Sequence, residues 1–159
     1  MQNKYKLPDD IRKTVIDLVK GYERRKKKIA RLEREICSAP GAKYEIIKTE
    51  HGEERVYLPS GKGGTSSPVE QQAAELEKKI YNSFDYKCVK AIESALESLP
   101  LSNYNNELAK KVKDCIIASC VYGKKFVFRY SGIVGISERT FYRARHLFLY
   151  LVAQKLDFL

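Results

Sequence analysis

The stretch Val127-Phe-Arg-Tyr-Ser-Gly-Ile-Val-Gly-Ile-Ser-Glu-Arg-Thr-Phe-Tyr-Arg-Ala-Arg-His146 decides the fold. A helix-turn-helix needs a small residue where its two helices touch, a glycine in the turn and apolar residues on the inner faces. Ser131 supplies the small residue and Gly135 the turn glycine, while Tyr130, Val134, Ile136, Phe141 and Ala144 fall at the inward positions. Ser137 follows the glycine by two positions, where its hydroxyl can accept from a free N–H in the first turn of the second helix. Residues 127–146 therefore predict a complete helix-turn-helix. The plainer alternative is two short helices meeting at a glycine, with no further role.

The second helix indicates what such a unit is for. With Phe141, Ala144 and Phe148 turned inward, Glu138, Arg139, Tyr142, Arg143 and His146 project outward and Arg145 lies at the flank. A helix of this kind enters the major groove of duplex DNA with its N-terminal residues at the base edges. Arginine is the usual partner of guanine O6 and N7, whereas Glu138 suits either a cytosine amino group or the positive end of its own helix. Lys110, Lys111, Lys113, Lys124 and Lys125 are expected to position the module on phosphates. Any one of these cations could instead belong to a solvated face. Three arginines within seven residues are harder to dismiss that way.

Outward from this stretch the chain is helical with one interruption. Pro8, Asp9 and Asp10 open a helix well, since proline pre-sets φ and the acids suit the dipole. Ile11, Val15, Leu18, Tyr22, Arg25, Ile29, Leu32 and Ile36 then alternate at spacings of four and three, a heptad seam that Cys37-Ser-Ala-Pro-Gly41 ends. The seam fits the buried stripe of a helical hairpin or a dimerising coiled coil. Arg24 to Lys28 are all basic, either a phosphate grip or a solvated face. Tyr44–Lys48 and Arg55–Leu58 flank His51-Gly52 as a short β-hairpin, and Pro59 to Ser67 reads as a flexible linker. Its Gly-Lys-Gly-Gly-Thr lacks the Lys-Ser/Thr pair of a phosphate-binding loop. Ser67-Pro-Val-Glu70 is a capping box for a second long helix running to Leu99, apolar at Val69, Ala73, Leu76, Ile80, Phe84, Cys88, Ile92, Ala95 and Leu99. A third, lined by Leu108, Val112, Cys115, Ile116 and Ser119, stops at Gly123.

Thirty basic against 20 acidic residues give a net charge of +10. Both ends carry the excess: residues 1–37 hold 12 basic and 6 acidic groups and 101–159 hold 10 and 4, while 38–100 hold 8 and 10. Such a field favours polyanions. The longest apolar run, Leu147 to Ala153, is far short of the roughly 20 residues of a membrane-spanning helix, and no signal peptide is expected at the N-terminus. Cys37, Cys88, Cys115 and Cys120 form no CxxC pair and lie on or near apolar helical faces, which points to reduced thiols, no metal and a cytoplasmic location. His51 and His146 lie far apart and no carboxylate pair has a catalytic setting, so neither an enzyme nor a cofactor is expected.

Ser67-Pro-Val-Glu-Gln-Gln-Ala-Ala-Glu-Leu76, Ala91-Ile-Glu-Ser-Ala-Leu96 and Ile136-Ser-Glu-Arg-Thr-Phe-Tyr-Arg-Ala-Arg145 resemble phage and prophage late-gene transcriptional regulators of the RinA and ArpU type. The C-terminal part of that family is similar to the promoter-reading fourth region of sigma factors. The likeness runs from Ser67 to Leu156. It implies sequence-specific duplex binding and late-gene activation in the cytoplasm of a bacterial host, with Ser137, Arg139, Thr140, Tyr142, Arg143 and Arg145 at the positions of the family's recognition helix.

The expectation is thus an all-α protein: a long N-terminal helical hairpin with a small β-hairpin or loop insertion, residues 1–100, and a trihelical helix-turn-helix unit, residues 101–159. The hairpin would dimerise the protein or contact host RNA polymerase. Ser137, Glu138, Arg139, Thr140, Tyr142, Arg143, Arg145, His146, Lys124 and Lys125 are the candidate DNA contacts. The heptad seam and the apolar run from Leu147 to Leu159 suggest a homodimer or higher oligomer. Two other roles fit the same features, a phage DNA-packaging protein like a terminase small subunit and a helical scaffold that binds protein alone.

Overall fold

The computed structural model describes residues 5–37, 44–49, 52–57 and 68–159, with side chains for 5–36 and 71–159. The protein is helical. Among the described residues the order is α1 (Asp9–Lys20), α2 (Tyr22–Cys37), β1 (Tyr44–Thr49), β2 (Gly52–Tyr57), α3 (Pro68–Tyr81), α4 (Phe84–Glu97), α5 (Asn106–Tyr122) and α6 (Glu138–Lys155). The two strands pair antiparallel, with Tyr44 opposite Tyr57 and Thr49 opposite Gly52. Gly52 therefore belongs to a strand, not to the turn expected at His51-Gly52. The expected cap at Ser67 and the linker from Pro59 lie outside the described residues.

Both long helices expected from the heptad seam and the capping box are broken in two. Gly21 separates α1 from α2, at a residue that costs a helix interior roughly 1 kcal/mol relative to alanine. Ser83 separates α3 from α4. Its hydroxyl donates to the Ile80 carbonyl at 2.6 Å and accepts from the Tyr86 N–H at 3.2 Å, so one side chain closes one helix and caps the next. Such local bonds offer the backbone an alternative to helix, which apolar periodicity does not register.

The chain forms two compact units, Met1–Arg24 with Lys87–Leu159, and Arg25–Tyr86. This division differs from a cut at residue 100. In the first unit α1 packs against α5 and α6, so the third helix beside α5 and α6 comes from the opposite end of the chain. Val15 and Val19 of α1, Ile92 of α4, Val112, Ile116 and Cys120 of α5, and Phe141, Phe148, Leu149 and Val152 of α6 are all at most 1% exposed. Tyr5 meets Tyr150 edge-on at 5.5 Å between ring centroids.

In the second unit Ile29, Ile36, Ala73 and Ile80 are buried. Asp85 accepts from Lys28 at 2.7 Å and from Arg25 at 3.2 Å. The hydrogen bond from Lys28, with the charges of Lys28 and Arg25, holds the Asp85 carboxyl below its ordinary range against the opposing effect of burial. Two members of the basic run 24–28 are therefore ion-paired within the chain. The surfaces on which self-association was expected are also largely covered: Val15, Leu18, Tyr22, Ile29 and Ile36 of the seam and Phe148, Leu149, Val152 and Ala153 of the C-terminal run are buried.

Candidate nucleic-acid interface

The predicted helix-turn-helix is only half formed. No α-helix forms in residues 123–137, between α5 and α6. Gly123–Lys125 and Phe128–Tyr130 are single 3-10 turns, and the backbone of residues 131–137 is irregular. The cause lies in the aromatic spacing. Phe126 stacks on Phe141 at 5.6 Å between centroids, and Phe128 lies against the same ring at 5.1 Å. Residues two apart on an α-helix point to nearly opposite sides, so both rings can reach Phe141 only if the segment is not α-helical. Ser131, expected at the helix crossing, donates instead to the Phe128 carbonyl at 2.7 Å and accepts from the Ile133 N–H at 3.3 Å. Gly132 and Gly135 adopt φ of +68° and +98°, a region that side chains disfavour. Tyr130 and Val134, both expected inside, are 83% and 85% exposed.

The second helix forms as the sequence foretold. Asn105 caps α5 by accepting from Leu108 N–H, and Ser137 caps α6 by accepting from Thr140 N–H at 3.1 Å. Phe141 and Ala144 are buried; Glu138, Arg139, Thr140 and Arg143 are exposed. No ion pair among the described residues engages Arg139 or Arg143. They lie one turn apart beside the helix N-terminus, whose free N–H groups add partial positive charge. Lys124, Lys125 and Arg129 are exposed on the connection that leads into this helix.

The remaining candidates divide. Ser137 and Thr140 share a hydroxyl–hydroxyl bond of 2.8 Å, so both serve the cap. Lys111 donates to the Gly132 carbonyl at 2.6 Å and ties the connection to α5. Tyr142 and His146 are half-buried. Burial lowers the His146 pKa, and the neighbouring charges of Arg145 and Arg12 lower it further. Arg145 turns inward, donating from Nε to the Ser119 hydroxyl at 2.8 Å. It is not on the outward face with Arg139 and Arg143.

Arg129 and the exposed rings of Tyr122 and Tyr130 were not among the candidates. They became visible only when the first helix failed to form, since a helical pattern assigns Tyr130 to the core.

No family model, curated protein or solved structure matches this chain. Among the described residues, no group of three or more His, Cys, Asp or Glu side chains could hold a metal ion. No helix of the described residues is long and apolar enough to cross a membrane.

Proposed function

We propose that the protein is a sequence-specific, double-stranded-DNA-binding regulator of transcription whose reading element is the N-terminal half of α6. The observation that carries this is the pair Arg139 and Arg143, exposed and without an ion-pair partner among the described residues, on a helix whose other side is pinned by Phe141 and Ala144. Their guanidinium forks suit guanine edges in a major groove. Glu138 stands beside them as a cytosine-amino acceptor. Lys124, Lys125 and Arg129, exposed on the connection into α6, would supply backbone contacts if α6 entered the groove by its N-terminus, and the Tyr122 and Tyr130 hydroxyls could add phosphate contacts. The protein would act by binding, without catalysis or cofactor.

The likeness of residues 136–145 to RinA- and ArpU-type regulators narrows the proposal to phage late genes, with host RNA polymerase as a further partner in the bacterial cytoplasm. The half-formed helix-turn-helix shifts the mechanism in one respect. Support for the reading helix comes from α1, α5 and the Phe126–Phe128 clamp rather than from a short helix across a tight turn.

Selection of bound sequences from a random duplex pool, followed by titration at several salt concentrations, tests the proposal. A preferred site should emerge, and log K should fall with log salt at about −0.9 per phosphate neutralised. The combined Lys125→Ala and Arg129→Ala variant should flatten that slope and weaken all sequences alike. Failure to bind any duplex at low salt would remove the proposal and leave a protein-binding scaffold.

A further inference from the structure

A cleft of about 290 Å³ opens in the first unit, between α1, the end of α5, the 3-10 turn at 123–125 and α6. Four of its lining side chains are cationic: Arg12 and Lys20 from α1, Lys124 from the connection and Arg145 from α6. No carboxylate lines it. Lys20 also meets Asp17 at 3.0 Å on the exposed surface of α1. Like charges converging on a concave site repel one another and raise the free energy of the empty protein. A multiply charged anion would relieve that repulsion.

Arg145 is the most built of the four. Ser119, 3% exposed, donates to the Ile116 carbonyl at 2.6 Å and accepts from Arg145 Nε at 2.8 Å. This relay fixes the plane of the guanidinium through Nε. The partners the structure gives it, the Ser119 hydroxyl and the Cys120 sulfur, are both neutral. A fork oriented in this way and lacking a carboxylate is suited to bidentate contact with phosphate oxygens. The unopposed charge is felt beyond the cleft, since Arg145 and Arg12 both disfavour protonation of His146. Phe126, Tyr142 and Ile16 give the same cleft an apolar wall.

We propose that this cleft binds a small phosphate-bearing ligand of nucleoside-diphosphate size, with Arg145 and Lys124 on the phosphates and the aromatic wall against the ring. The volume admits such a molecule only in part, leaving the rest of it at the open rim. Lys124 and Arg145 were also expected DNA contacts, but Arg12 and Lys20 were not, and the packing of the core calls for neither of these two; the inference stands whether or not the protein binds duplex DNA.

Isothermal titration of the full chain with ADP and with pyrophosphate, at constant ionic strength, tests the proposal. ADP should bind saturably, one per chain, and pyrophosphate should compete for the same site. Lys124→Gln and Arg12→Gln are exposed substitutions that leave the core intact, and each should weaken ADP binding roughly tenfold or more. Arg145→Gln should abolish it, with circular dichroism confirming that the variant is folded. Absence of saturable binding at millimolar ADP and pyrophosphate would overturn the proposal, as would binding that the Lys124 and Arg12 variants leave unchanged. If Arg145→Gln weakens duplex DNA while neither small anion binds, the cations serve a nucleic-acid backbone and the free-ligand proposal is wrong.

Discussion

Replacing Phe141 with alanine removes the ring on which the connection between α5 and α6 is fastened. The ring is 0% exposed and touches both Phe126 and Phe128. A buried aromatic side chain removes ~150–250 Å² from water. At ~25 cal/mol per Å², and allowing for the methyl group that alanine retains, the transfer loss is ~3–5 kcal/mol, the range measured for such truncations in cores. Loss of the ring contacts adds to this, and inward relaxation of Phe128 subtracts. A net loss of about 4 kcal/mol is a large part of the ~5–15 kcal/mol that holds a typical domain together. Urea unfolding followed by far-ultraviolet circular dichroism should show the midpoint falling by ~1.3–4 M for a slope of ~1–3 kcal/mol per M. Trypsin adds a local readout. Lys124, Lys125 and Arg129 flank the two phenylalanines, so cleavage there should accelerate in the variant before the rest of the chain is cut. A loss below ~1.5 kcal/mol with unchanged cleavage would mean that Phe126 and Phe128 do not hold the connection through Phe141.

Arg143→Ala should leave stability within ~0.5 kcal/mol, as expected for an exposed side chain, yet lower affinity for a preferred DNA site by ~1–3 kcal/mol and for random duplex much less. Equal weakening of both, measured by fluorescence anisotropy, would make Arg143 a phosphate contact. Ser137→Ala deletes the α6 cap and should cost ~1 kcal/mol in thermal unfolding, whereas Ser137→Asp should retain most of it; equal behaviour of the two would deny the cap its role. The His146 pKa lies below its ordinary 6.5, chiefly through burial. The unfolded chain therefore takes up a proton there before the folded one does. Stability from this group is present above pH 6.5 and declines as the pH falls through the folded pKa. Denaturation across that window should be less pH-dependent in His146→Gln, and an identical profile would assign the acid sensitivity to other groups.

The helical class, the hairpin insertion and the start and buried face of α6 were legible because each rests on local chemistry. Ser137 caps where a serine after a turn glycine should, and Phe141, Ala144 and Phe148 repeat at helical spacing with nothing competing. The first half of the helix-turn-helix was misread because Tyr130, Ser131 and Val134 satisfy its inward pattern equally well in a segment that is not α-helical. What overrides the pattern is Phe126 and Phe128 both reaching Phe141 across the turn, a tertiary contact that apolar spacing does not register. The breaks at Gly21 and Ser83 were available in principle, as a glycine and a cap-forming serine inside periodic runs, but apolar spacing continues smoothly across both. The cationic cleft was out of reach altogether. Arg12 and Lys20 belong to a helix near one end of the chain and Arg145 to a helix near the other, and only tertiary packing sets them facing each other.

That packing has a consequence for how the protein is made. Helix α1 leaves the ribosome well before the α5 and α6 faces against which it packs, so Val15 and Val19 are made ahead of the helices that help bury them. Until then α1 is an amphipathic segment with its apolar side uncovered, while residues 25–86 can already collect into their own compact unit. Contacts between such distant segments form slowly, because the intervening chain must be gathered before any of them is rewarded. The nascent chain would thus pass through a stage with one finished unit and one waiting helix, the moment at which a hydrophobic face is open to a chaperone or to another unfinished copy. A chain released before α6 is complete would keep that face for good.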